Sequence, residues 1–74
     1  MVYYYTAKTK AKLGKNIKRI RKQKGLGQVE VAVDAGINPS YYGKIERGVV
    51  NPSIEKLFRI AKALKIKTSE ILPF

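Results

Sequence analysis

The four residues Gly36-Ile37-Asn38-Pro39 constrain this chain more than any other stretch of it. A glycine can take the left-handed backbone conformation that closes a helix, and a proline is pre-shaped for the first turn of the next one. Between them Ile37 supplies an apolar plug and Asn38 a capping side chain. Short segments with helical apolar spacing lie on both sides. Val29, Ala32 and Ala35 recur one turn apart before the break, with Val31 flanking them, and Tyr42 and Ile45 form an inward pair after it. The spacing predicts one helix over 28–35, opened by Gly27 in place of a capping side chain, and another over 39–47, stopped by Gly48. A turn this tight sets its two helices at about 90–120° to one another. Ala32 is small where they approach, Gly36 can adopt the positive φ, and Ile37 can bury itself under the corner.

The rest of the chain reads as helices packed around that corner. Leu13, Ile17 and Ile20 fall at helical spacing within 9–24, with lysines and arginines on the other faces, Gly25 as the stop and Leu26 beneath it. Val49-Val50-Asn51-Pro52 is a linker. Ser53 then caps a fourth helix whose expected buried stripe is Ile54, Leu57, Ile60, Ala61 and Leu64, with Glu55 complementing its positive start and Lys62, Lys65 and Lys67 its end. Thr68 or Ser69 can cap a last short turn, Glu70-Ile71-Leu72, before Pro73. No strand pattern or internal repeat occurs. The expectation is an all-α, five-helix domain over 9–74 preceded by an N-terminal arm, 1–8.

A chain of 74 residues has room for one small core and little room for a deep active site. It contains no cysteine and no histidine, which excludes disulfides, thiolate or imidazole catalysis and zinc sites built on those ligands. Five acids and no glycine-rich phosphate loop offer no pairing of general base and nucleophile, so no enzymatic activity is expected, and no cofactor, metal or small-molecule substrate. No stretch has the length of a signal-peptide core or of a membrane span, and a cytoplasmic location is expected.

The charge is large and uneven. Lysine and arginine total 16 against 5 acids, a net charge of +11, and nine of the sixteen lie between Lys8 and Lys24. No acid precedes Glu30. A polyanion is the expected partner, because a basic stripe gains affinity by releasing counterions from phosphates. Charge alone does not separate DNA, RNA and anionic lipid, nor exclude a solvated face that merely keeps the chain soluble. The corner at 28–48 adds the geometry of a helix-turn-helix, in which one helix crosses the nucleic-acid backbone and the next enters the major groove.

Residues Ile20-Arg21, Gly25-Leu26, Gln28-Val29-Glu30-Val31-Ala32, Gly36-Ile37, Lys44-Ile45-Glu46-Arg47-Gly48, Asn51-Pro52-Ser53 and Ala61-Lys62-Ala63-Leu64 carry a resemblance to a known family. The chain resembles the Cro and lambda-repressor-like (XRE-type) helix-turn-helix regulators from about Leu13 to Leu72 without a gap. In size and layout it is similar both to restriction-modification controller proteins and to small prophage repressors of that family.

The resemblance implies a compact lambda-repressor-like domain that binds double-stranded DNA sequence-specifically, as a homodimer on a palindromic or pseudo-palindromic operator, and regulates transcription. It implies base contacts from Pro39, Ser40, Tyr41 and Lys44 in the recognition helix. Pro39 departs from the pattern, since it has no side-chain donor and offers only apolar contact. Phosphate contacts are implied for Gln28, Asn38, Arg47, Asn51 and Ser53, with Lys15 and Lys18 as lesser candidates. Glu46 matches an acid that pairs with Arg21 as scaffolding. Tyr42 stands where the family places an aliphatic residue, and it is expected to point inward with its hydroxyl at the surface. Gly43 is a poor helix former whose missing side chain would let the DNA backbone approach. Leu72, Phe74 and Phe58 are the expected dimer surface, with Tyr3, Tyr4 and Tyr5 as an arm of undetermined role. Two other readings stay open: a non-enzymatic protein- or RNA-binding adaptor built on the same fold, and a basic amphipathic helix lying on anionic membrane.

Overall fold

In the computed structural model, which describes residues 7–73, four α-helices are followed by a single 3-10 turn: α1 (Ala7–Gln23), α2 (Gln28–Ala35), α3 (Pro39–Glu46), α4 (Ile54–Leu64) and η1 (Thr68–Glu70). The expected fifth helix is therefore one tight turn. Glu70 folds its carboxylate back onto the Lys67 N–H at 2.8 Å, and the Ile71 N–H reaches the Thr68 carbonyl at 3.1 Å. Pro73 prevents the segment from continuing as helix. Helix α1 starts at Ala7, so it takes in two residues read as part of the N-terminal arm. Arg47 closes α3 as its C-terminal cap and is not part of the helix proper.

The helix ends at the α2–α3 corner are fixed by local chemistry. Gly36 ends α2 in the left-handed conformation (φ 68°), with its own N–H on the Val33 carbonyl and the Ile37 N–H on that of Ala32 at 2.9 Å. Two residues on, the Asn38 side-chain oxygen accepts from the N–H groups of Ser40 and Tyr41, and Pro39 occupies the first turn of α3. The corner is thus closed from both sides within three residues. Helix α4 ends in the same left-handed turn, but the residue adopting it is Lys65 (φ 59°), a cap the sequence does not advertise.

Leu13, Ile17, Ile20, Val31, Ala32, Ala35, Ile37, Tyr42, Ile45, Leu57, Ile60, Ala61, Leu64 and Ile71 form one continuous core. Two expected core residues lie outside it. Val29 is 61% exposed and Ile54 70% exposed. Helix α2 carries apolar residues on both sides of Ala32, and the core takes the Val31 side, which turns Val29 outward. Ile54 is the first residue of α4, and the buried stripe begins one turn later at Leu57.

Helices α1 and α3 meet backbone to backbone. A Cβ on Gly14 would stand 2.6 Å from the Ile45 carbonyl oxygen and closer still to that of Glu46, and one on Gly48 would stand 2.7 Å from the Ala11 Cα. Both glycines are required by this contact. It seats the C-terminal end of α3 directly on α1 and so fixes how α3 is presented.

Candidate nucleic-acid interface

The outward edge of α3 carries Ser40, Lys44 and Arg47, all exposed, at positions four and three apart and therefore on one side of the helix. Pro39 is exposed at its start. Tyr41, implied as a base contact, is partly exposed on the same helix. It is half-buried against the core, and the Lys56 ammonium of α4 stands 5.2 Å from its ring centroid. Nothing in the spacing of α4 shows that its first turn faces α3, so the place of Lys56 beside Tyr41 is visible only in the fold.

Behind this edge the structure brings Arg21 and Glu46 together. The Arg21 Nε donates to Glu46 Oε2 at 2.7 Å, Nη2 donates to Oε1 at 3.1 Å, and Nη1 donates to the Leu26 carbonyl at 2.8 Å. Gln28 Nε2, from the first residue of α2, also donates to Glu46 Oε1 at 2.9 Å. One carboxylate therefore binds α1, α2 and α3 to one another. Burial pushes the Glu46 carboxyl up, but hydrogen bonds from Arg21 and Gln28, with Tyr42 and the Arg21 charge adding to them, outweigh it and hold the group below its ordinary range. The Arg21 guanidinium is raised in turn, first by its hydrogen bond to Glu46.

Tyr42 points inward as expected, but its hydroxyl is not at the surface. The side chain is fully enclosed, and the oxygen has no partner in good hydrogen-bonding geometry among the described residues. Burial first, and then the neighbouring Glu46 carboxylate, push its acidity constant upward. The hydroxyl ends beside the buried Glu46 and Arg21 side chains and not at the surface.

The expected phosphate contacts are differently placed. Gln28 is exposed, with one of its two amide N–H donors committed to Glu46 and the other left to direct outward. Arg47 Nη1 lies 3.3 Å and Gln28 Oε1 4.0 Å from where a Cβ of Gly43 would be, so both side chains lie over the bare α carbon of Gly43. Asn38 and Ser53 each spend a side-chain oxygen on capping, Ser53 accepting from the Lys56 N–H at 3.2 Å. The Asn38 amide N–H and the Ser53 hydroxyl hydrogen are the groups they can direct outward. Asn51 is exposed in the linker beside buried Pro52. Lys15 and Lys18 are exposed on α1.

Of the residues read as a dimer surface, Phe58 is 63% exposed, Leu72 is half-buried against the core, and Phe74 lies outside the described residues, as do Tyr3, Tyr4 and Tyr5. Ile54, expected inside, stands one turn before Phe58 on α4 and joins it on the surface. Among the described residues no three metal-ligating side chains cluster, and no helix is long and apolar enough to cross a membrane.

Comparison with known proteins places this geometry. The family HTH_3, helix-turn-helix, matches residues 17–71. The immunity repressor protein of Bacillus phage phi105 is 43% identical over 60 residues, covering 81% of this chain. The chain spans 40% to 42% of the length of two such curated relatives, this repressor among them. The crystal structure of the restriction-modification controller protein C.AhdI from Aeromonas hydrophila superposes with a TM-score of 0.83 at 35% identity, covering 85% of this chain and 96% of that one. The structure of SinR, a master regulator for biofilm formation, in complex with DNA superposes with a TM-score of 0.73 at 38% identity, covering 77% and 92%. The chain belongs to the HTH_3 helix-turn-helix family, the Cro and lambda-repressor-like group that its sequence resembles.

Proposed function

We propose that this chain is a transcriptional regulator that binds duplex DNA sequence-specifically, in the cytoplasm, as a homodimer on a palindromic operator. The observation that carries the reading is the exposed edge of α3, Ser40 and Lys44, backed by a carboxylate that three helices share. An edge held from behind can enter the major groove without losing its shape, which is what direct reading of base edges needs. The relatives named as repressors and regulators, and the SinR structure solved with DNA, support the same reading.

In this reading Lys44 donates to guanine O6 and N7, Ser40 contacts a base edge, and Pro39 offers apolar contact to a thymine methyl. Tyr41, steadied by Lys56, completes the set with its phenol edge. Arg47, Gln28, Asn38, Asn51 and Ser53 hold the phosphates on either side, aided by the N-terminal amides of α4. Glu46 and Arg21 act as scaffold and not as catalysts.

One recognition helix covers too few base pairs for a specific site, and two related by a twofold axis would read half-sites about 34–36 Å apart. Ile54 and Phe58, with Leu72, are the surface we assign to that contact, because large apolar side chains exposed one turn apart are costly on a monomer. The test is selection of genomic fragments by the pure protein followed by footprinting. A protected site with twofold symmetry is expected, and no enrichment over random fragments in moderate salt would overturn the proposal.

A further inference from the structure

Lys8, Lys12, Lys15, Arg19 and Lys22 recur at intervals of four and three along α1, and all five are exposed. That spacing puts them in one row on one face, about 21 Å long. The inward face of the same helix is Leu13, Gly14, Ile17, Ile20 and Arg21, with Gly14 against the α3 backbone. The cationic row therefore points away from the core and runs alongside the face on which Gly14 and Ala11 seat α3 and Gly48. None of the five is in an ion pair among the described residues, where the pairs are Arg21 with Glu46 and Arg59 with Glu55.

The row does not serve the helix that carries it. Lys8 and Lys12, and again Lys15 and Arg19, are like charges one turn apart, which weakens a helix. The first turn of α1 contains Lys8 and Lys10 and no acid, so the helix dipole opposes it too. A face kept only for solubility mixes both signs, whereas this one has a single sign from end to end. Such a row fits a linear polyanion that neutralises all of it together.

We infer that the outward face of α1 is a second duplex-DNA-binding surface, distinct from the edge of α3, which engages phosphates of a DNA segment other than the one in contact with the recognition helix. The inference rests on the DNA-binding reading above and extends it from one contact surface to two. A membrane is the less suited partner. The apolar residues of α1 that would have to enter a bilayer, Leu13, Ile17 and Ile20, are already buried in the core, and the exposed positions between the cations hold no large apolar side chain.

The test compares two triple variants of the full chain that lose the same charge. One carries Lys12→Gln, Lys15→Gln and Arg19→Gln, and the other Lys62→Gln, Lys65→Gln and Lys67→Gln, with circular dichroism to verify that both fold. Affinity for a selected duplex is measured between about 50 mM and about 200 mM salt. The α1 variant is expected to flatten the dependence of log affinity on log salt by about two to three, while keeping its preference among sequences, and the α4 variant to change it much less. Loss of the α1 effect on a duplex trimmed to the footprint assigns the segment to the flank of the same molecule. Persistence there, with wild type but not the α1 variant co-capturing two differently labelled duplexes, assigns it to a second molecule. Equal flattening by both triples overturns the inference, as does a larger α1 effect on RNA or on anionic vesicles than on duplex DNA. Absence of any duplex binding by wild type refutes the underlying reading instead.

Discussion

Arg21 and Glu46 meet through two parallel hydrogen bonds, 2.7 and 3.1 Å long, in a setting where the carboxylate side chain is 1% exposed and Gln28 donates a third bond to the same group. Removing one partner of a buried pair leaves the other charge stranded, at a cost of about 3–5 kcal/mol. Glu46→Gln is therefore expected to lower the melting temperature of this small domain by more than about 10 °C. Thermal unfolding followed by circular dichroism checks this, and an unchanged melting temperature would contradict it.

The same pair sets an acid limit to stability. The folded-state constant of Glu46 lies below its unfolded value near 4.5, so its contribution is complete above that pH and lost as pH falls through the folded value. Wild type should lose stability below that pH more steeply than Glu46→Gln, and the gap between the two should close in acid. Denaturant titrations across the acid range measure it. A gap that stays constant with pH would show the carboxylate to be unperturbed.

Tyr42 governs the alkaline side. Its raised constant means that the neutral phenol is stabilised by the fold, a contribution present below the ordinary tyrosine value of 10.0 and lost as pH rises beyond it. The hydroxyl has no well-formed hydrogen bond among the described residues, so Tyr42→Phe removes an unsatisfied polar atom at almost constant shape. The variant should be as stable as wild type or more so by up to about 1 kcal/mol at neutral pH, and should resist alkali better. A clear loss at neutral pH would show the hydroxyl to be paired.

Two glycines separate packing from recognition. Gly14→Ala would drive a methyl group into the carbonyls of Ile45 and Glu46, which are backbone and cannot turn aside, and severe destabilisation is expected. Gly43→Ala crowds the flexible end of the Arg47 side chain, at 3.3 Å, and touches Gln28 Oε1 at an ordinary 4.0 Å, so the gain in helix propensity, up to about 1 kcal/mol, should survive. The displaced guanidinium should nevertheless weaken binding to all duplexes alike. Melting curves and fluorescence titrations on both variants check the pair, and weaker folding of Gly43→Ala would refute it.

In the proposed homodimer Phe58→Lys should break association, with little change in the melting of the monomer itself, because the side chain is already 63% exposed. Sedimentation equilibrium reads the result. An unchanged mass would move the association surface elsewhere.

What the sequence revealed and what it hid have a common cause. The corner at Gly36-Ile37-Asn38-Pro39 was legible because left-handed caps, side-chain caps and first-turn prolines act within a few residues. The pairing of Arg21 with Glu46 was readable only through family resemblance, since no local rule links positions so far apart. Val29 and Ile54 were misplaced because apolar spacing defines a stripe but not which of two neighbouring stripes meets the core, nor where along a helix burial begins. The requirement for Gly14 is hidden for a similar reason: it lies in carbonyls of a different helix. The partnership of Tyr41 with Lys56 depends on how α4 sits over α3, which no periodicity encodes.

The most direct test is the effect of Lys44→Ala on base preference, because Lys44 lies on the exposed edge of α3 and takes no part in the Arg21–Glu46 scaffold. Binding of wild type and variant to a library of single-base changes in the selected operator should show preference relaxed at one position of each half-site, by about 1–3 kcal/mol, with the others kept. Equal weakening on specific and random duplexes would mean that this edge does not read bases.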